Sequence, residues 1–160
     1  MNSEDQFIPV LNQWIAVFMH RSMQNLNRFS KERGISMSQI FALTYVHHQG
    51  TCGVSDIGEG LGVSNAAASQ LIDKLVHQNM IQRIEDPEDR RSKQISLTEK
   101  GIQLIKDSLV ARYSWFHELK DTLMEDEKTR IINTLDLLIE KGRGLEFDKT
   151  TEQLPHHPTK

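Results

Sequence analysis

From Val54 to Gly101 the chain strings short apolar stripes between closely spaced turn signals, which admits only small elements there. Ser55 to Leu61 reads as a short helix closed by Gly62, and a second helix starts at Ser64. Ala68, Leu71, Ile72 and Leu75 share one face of that second helix, while Ala66, Ser69, Gln70 and Asp73 share the other, with Asn65 and Ala67 on its flanks. Ile81 to Glu85 and Ser92 to Leu97 then read as two strands joined through Asp86-Pro87-Glu88-Asp89-Arg90-Arg91. Leu97-Thr98-Glu99-Lys100-Gly101 opens the next helix, with Thr98 as its N-cap. The pattern is a helix-turn-helix followed by a charged hairpin wing. A helix with a small polar outer face, beside a loop tipped with guanidiniums, is the equipment of a duplex-DNA reader.

The remainder of the chain is helical by spacing. Phe7 to Phe29 carries Phe7, Ile8, Leu11, Trp14, Ile15, Phe18, Met19, Met23 and Leu26, a stripe wide enough to need cover on more than one side. Gly34 breaks it. Ser36-Met37-Ser38-Gln39 has the spacing of a capping box and starts a helix that runs to His48, ended by Gln49-Gly50. Ile102, Leu104, Ile105, Leu109, Trp115, Phe116 and Leu119 support one long helix. Glu125, Asp126 and Glu127 suit the first turn of a last one, whose apolar side is Ile131, Ile132, Leu135, Leu138 and Ile139 and which Gly142 and Gly144 end. The expected fold is mainly α with a small β-hairpin wing: a winged helix-turn-helix over 35–100, dimerisation helices over 1–34 and 101–147, and a disordered tail over 148–160. The terminal helices carry more apolar surface than one small domain hides. That predicts a homodimer, the symmetry a palindromic duplex site requires.

Charge and cysteine usage narrow the classes. Charged residues make up 26% of the chain, the net charge is −3, and residues 51–100 hold six Lys/Arg against eight Asp/Glu. The single cysteine, Cys52, excludes an internal disulfide and reads as a buried, inert thiol in a reducing, cytoplasmic setting. Met1 to Asp5 lacks the basic start of a signal peptide, and no apolar run spans a bilayer, so no membrane partner is expected. The seven histidines show no metal-ligand spacing, and no phosphate loop, nucleophile elbow or paired metal-binding histidine motif is present. The expectation is a chain that is not an enzyme and uses no cofactor or metal.

The candidate contact residues follow from their chemistry. On the second helix of the pair, Asn65 and Gln70 can read adenine through N6 and N7, Ser64 and Ser69 can reach phosphate or base edges, and Ala66 and Ala67 can meet thymine methyls. In the wing, Arg90, Arg91 and Lys93 supply positive charge for a narrow minor groove, and Asp89 can orient one arginine. Ser36 and Ser38 open a helix whose first amides can bind phosphate.

Four pieces carry a family likeness: Ile35 to Gln39, Ile57 to Ser64, Leu71 to Leu75 with Ile81-Gln82-Arg83, and Asp86 to Arg91 leading to Leu97-Thr98-Glu99-Lys100-Gly101. The stretch from Ile35 to Gly101 resembles a MarR-type winged-helix transcriptional regulator. That resemblance implies an obligate dimer on a pseudo-palindromic promoter site, usually acting as a repressor released by a small phenolic or aromatic effector or by cysteine oxidation. It implies that Arg91 enters the minor groove and that Arg90 serves phosphate or structure. It also implies an effector pocket between the winged domain and the dimer helices, with Trp14, Phe18, Met19, Tyr45, His48 and Trp115 as candidate lining. Two other readings stay open on the net negative charge and on Cys52 and the histidines: a winged protein-interaction module without DNA binding, and a regulator gated by metal or redox.

Overall fold

A computed structural model describes residues 3–85 and 93–145. The elements in chain order are α1 (Ser3–Arg33), α2 (Met37–Gln49), β1 (Thr51–Cys52), α3 (Val54–Leu61), α4 (Asn65–His77), β2 (Ile81–Glu85), β3 (Lys93–Leu97), α5 (Glu99–Tyr113), α6 (Trp115–Asp121) and α7 (Glu125–Arg143). The described residues fall into two compact units, divided after Phe116.

The core of the first unit is built from the expected stripes. Leu43 of α2, Ile57 of α3, Ile72 and Leu75 of α4, Ile81 of β2 and Ile95 of β3 are fully buried. Leu26 and Phe29 of α1 and Leu104 and Ile105 of α5 close over them. Burying each such side chain contributes roughly 1.5–3 kcal/mol, and the winged elements share this one core with α1 and α5. The sheet is antiparallel in the order β1-β3-β2. Its register pairs Thr51 with Ser96 and Cys52 with Ile95 on one side of β3, and Ile81 with Leu97 through Glu85 with Lys93 on the other.

Helix starts obey their caps. Ser36 Oγ accepts from the Gln39 amide at 3.2 Å while the Ser36 amide donates to Gln39 Oε1 at 2.9 Å, the reciprocal pair expected from the sequence. Gly62 ends α3 in the left-handed conformation, φ +65°. Thr98 caps α5, its Oγ accepting from the Gly101 amide at 3.2 Å.

The Thr98 to Gly101 run also clasps the corner between α4 and β2. Thr98 Oγ donates to the Asn79 carbonyl at 2.8 Å, and Lys100 Nζ donates to the Gln78 carbonyl at 2.9 Å. The Thr98 amide donates to the Met80 carbonyl at 3.1 Å. A Cβ on Gly101 would lie 2.1 Å from that same Met80 oxygen, so only glycine lets α5 approach this closely. The clasp fixes the far end of α4 to the strand that leads into the wing.

Three expectations change. The first helix is longer than Phe7 to Phe29, and Pro9 sits inside it near its start, where one backbone hydrogen bond is lost. The expected long helix from Ile102 to Leu119 divides at Ser114, whose Oγ turns back onto the Ala111 carbonyl at 2.9 Å and also accepts from Asn25 Nδ2 of α1 at 3.0 Å. Trp115 Nε1 donates to the buried Ser22 Oγ at 3.2 Å, so the break lets α6 start with its indole anchored on α1. The third strand, β1, was not foreseen.

In the second unit, Glu127 Oε2 accepts from the Met124 amide at 2.9 Å to cap α7, and a hydrogen bond from Lys128 holds the Glu125 carboxyl below its ordinary range. Gly142 lies within α7 and Gly144 follows it. Ile131, Ile132, Leu135 and Ile139 are all more than two-fifths exposed, with Leu138 half-buried beside them. Among the described residues no helix is long and apolar enough to cross a membrane.

Candidate nucleic-acid interface

The helix pair α3 and α4 is set by a tight corner. The Val63 amide donates to the Gly58 carbonyl at 2.9 Å, and a Cβ on Gly58 would lie 3.1 Å from Asn65 Oδ1 and 3.2 Å from the Val63 carbonyl oxygen. Gly60 lies under the Tyr45 ring, close enough that any Cβ would overlap it. The two glycines that weaken α3 as an isolated helix are what let it nest between α2 and α4. Ser64 Oγ accepts from the Ala67 amide at 3.3 Å and starts α4.

On α4 the burial follows the expected faces. Ala68, Ile72 and Leu75 are buried, Leu71 is half-buried, and Asn65, Ala66, Ala67, Gln70 and Asp73 are exposed, with Ser69 at the edge. The outer face is a row of small and amide side chains with one carboxylate, Asp73, short enough for base edges to come close. Ser36 and Ser38 are exposed at the start of α2; Ser36 Oγ accepts its capping bond through a lone pair, which leaves its O–H as a donor for phosphate.

Of the wing residues, Lys93 begins β3, exposed and opposite Glu85. Asp89, Arg90 and Arg91 lie outside the described residues. A cation that the sequence reading passed over stands beside α4: Arg83 of β2 donates to Asp73 Oδ1 at 2.5 Å. Ten residues separate the partners, and only the crossing of α4 over β2 joins them, so no local pattern announces the pair.

The expected pocket residues divide. Trp14 and Phe18 of α1 meet Trp115, with ring centroids 6.0 and 6.2 Å away. Tyr113 and Phe116 complete this cluster, stacked on each other at 5.8 Å, and Phe18 lies 6.1 Å from Tyr113. Neither was singled out as a lining residue, although their i,i+3 spacing beside Trp115 was a visible signal. Met19 is exposed, His48 is exposed against His47, and Tyr45 packs on Gly60. Burial, with Cys52, Asp56 and Glu59 adding to it, raises the Tyr45 phenol above its ordinary range. Cys52 is buried in β1, and that burial, reinforced by Asp56, raises its thiol as well. Among the described residues no group of three His, Cys, Asp or Glu is placed to hold a metal ion.

Comparison with known proteins places this geometry. The MarR family matches residues 35–93, the span from α2 into the start of β3. The transcriptional repressor MprA of Escherichia coli K12 is 28% identical over 128 residues, 79% of this chain and 73% of its own. A crystal structure of a multiple antibiotic-resistance repressor (MarR) from Listeria monocytogenes superposes with a TM-score of 0.77 at 18% identity, covering 91% of this chain and all of that one. An S. aureus MepR variant, solved bound to an oligodeoxyribonucleotide, is 25% identical with a TM-score of 0.61, covering 82% of this chain and 96% of that one.

Proposed function

We propose that this chain, which belongs to the MarR family, is a cytoplasmic transcriptional repressor that binds a pseudo-palindromic operator as a homodimer and is released by a small aromatic effector. It is a regulator of transcription and not an enzyme. The observation that carries the DNA reading is α4: one face locked into the core by Ala68, Ile72 and Leu75, the opposite face exposing Asn65, Ala66 and Gln70. Asn65 and Gln70 then read adenine edges and the alanines meet thymine methyls. Ser64 and Ser69 reach phosphate or base edges, Ser36 and Ser38 meet phosphate, and Asp89, Arg90, Arg91 and Lys93 work as the wing. The likeness to a DNA-bound MepR supports this assignment.

Two exposed apolar faces support the dimer. Phe7, Ile8, Val10, Ile15 and Val17 of α1 and Ile131, Ile132, Leu135 and Ile139 of α7 stand open in the single chain. The aromatic cluster of Trp14, Phe18 and Trp115 supports an effector site for a flat, apolar ligand, with Met19, Tyr45 and His48 as further candidates.

Selection of duplexes from a random pool by the purified chain tests the proposal. The expected outcome is an enriched inverted repeat whose half-sites lie about 10 bp apart, centre to centre, or a multiple of that. Recovery of unenriched pool at every round would refute it.

A further inference from the structure

Asp73 occupies the exposed row of α4, one turn beyond Ser69 and Gln70. A carboxylate in that row enters the field of any duplex the helix approaches and is repelled by it. Arg83 answers it from β2, Nη2 to Oδ1 at 2.5 Å. The side chains are 37% and 61% exposed, so water screens the pair and it adds little to the stability of the fold. An arginine within hydrogen-bond reach of the groove-facing row stands at the edge of that groove, where the phosphates of a bound duplex would lie. Paired, its charge is cancelled before DNA arrives.

We propose that Asp73 is a built-in restraint on DNA affinity: it masks Arg83, an otherwise competent phosphate ligand beside the recognition helix. This rests on the DNA-binding reading above. The restraint lowers sequence-independent attraction while leaving base contacts from Asn65 and Gln70 untouched, so it favours discrimination over raw affinity. It also gives a reason why the winged region, with six basic and eight acidic residues over 51–100, carries a carboxylate on its reading face.

The test is fluorescence anisotropy of the full chain against a random-sequence duplex over a range of salt, using wild type, Asp73→Asn, Arg83→Gln and the double variant. Freed Arg83 should make Asp73→Asn bind on the order of five- to tenfold tighter per subunit near 0.1 M salt, with a salt slope steeper by about 0.9. Arg83→Gln leaves the carboxylate bare and should bind more weakly than wild type, and the double variant should return close to wild type. Asp73→Ser should repeat the Asp73→Asn result, and thermal melts should show all variants folded. An Asp73→Asn variant with unchanged or weakened binding overturns the restraint, as does a double variant as tight as Asp73→Asn. If wild type binds duplex and Asp73→Asn does not differ, only this inference fails. If none of the proteins binds any duplex at the lowest salt, the DNA reading fails and carries this one with it.

Discussion

Gly101 shows how one residue holds the reading head in place. Its missing side chain admits the Met80 carbonyl oxygen, which would otherwise lie 2.1 Å from a Cβ. Gly101→Ala must therefore push α5 off the corner that Thr98 and Lys100 clasp. The expected loss is about 1–3 kcal/mol, the range for an added methyl in a filled site, read as a lower urea midpoint. An unchanged midpoint would mean the clasp is not tight in solution. Cys52 offers a second check. Its buried thiol is raised, so folding favours the neutral form. The stability it lends is complete below the unfolded thiol value near 8.5 and is lost as pH rises through the higher folded value. Native chain should react with a disulfide reagent at neutral pH far more slowly than chain in urea, and the wild type should lose more stability between neutral and alkaline pH than Cys52→Ala. Equal labelling rates would place the thiol at the surface and reopen redox gating.

At the scale of elements, what the sequence made legible was local. Ser36 with Gln39, Thr98 with Gly101 and Gly62 after Leu61 are signals that span four residues or fewer, and each sits where its chemistry requires. The faces of α4 were legible because a helix repeats its own period. β1 was not, because two residues have no period and Thr51-Cys52 becomes a strand only by pairing with β3. The break at Ser114 was hidden for the same reason: its partners include Asn25, and the indole that follows bonds Ser22, both far off in α1. Within the candidate site, the amide and alanine row could be read, whereas the Asp73–Arg83 pair depended on how α4 crosses β2. The cap on α4 is open to a direct test. Ser64→Ala removes the bond to the Ala67 amide and should cost about 1 kcal/mol of stability, while Ser64→Asp, which keeps an acceptor, should recover most of it. A Ser64→Ala variant as stable as wild type would show that the turn from Gly58 to Val63 alone fixes the start of α4.

At the scale of the whole molecule, the exposed apolar residues of α1 and α7 are what a single chain leaves unexplained. Ile132, 57% exposed, lies on the apolar side of α7 with Leu135 and Ile139. If a second copy covers that side, Ile132→Asp buries a charge at the interface, and sedimentation should show monomer where wild type is dimer. A variant that stays dimeric with unchanged affinity would remove α7 from the interface. Dimerisation and DNA reading meet in the proposal that two copies of α4 read a duplex in its major groove with the wings in the minor groove. The most direct measurement is anisotropy of the chain on its selected duplex and on a scrambled control, titrated over salt. Tight binding to the selected duplex alone is expected, saturating at two chains per duplex and weakening as salt rises. Equal, weak binding to both duplexes at every salt would contradict it and leave the winged fold as a protein-interaction module.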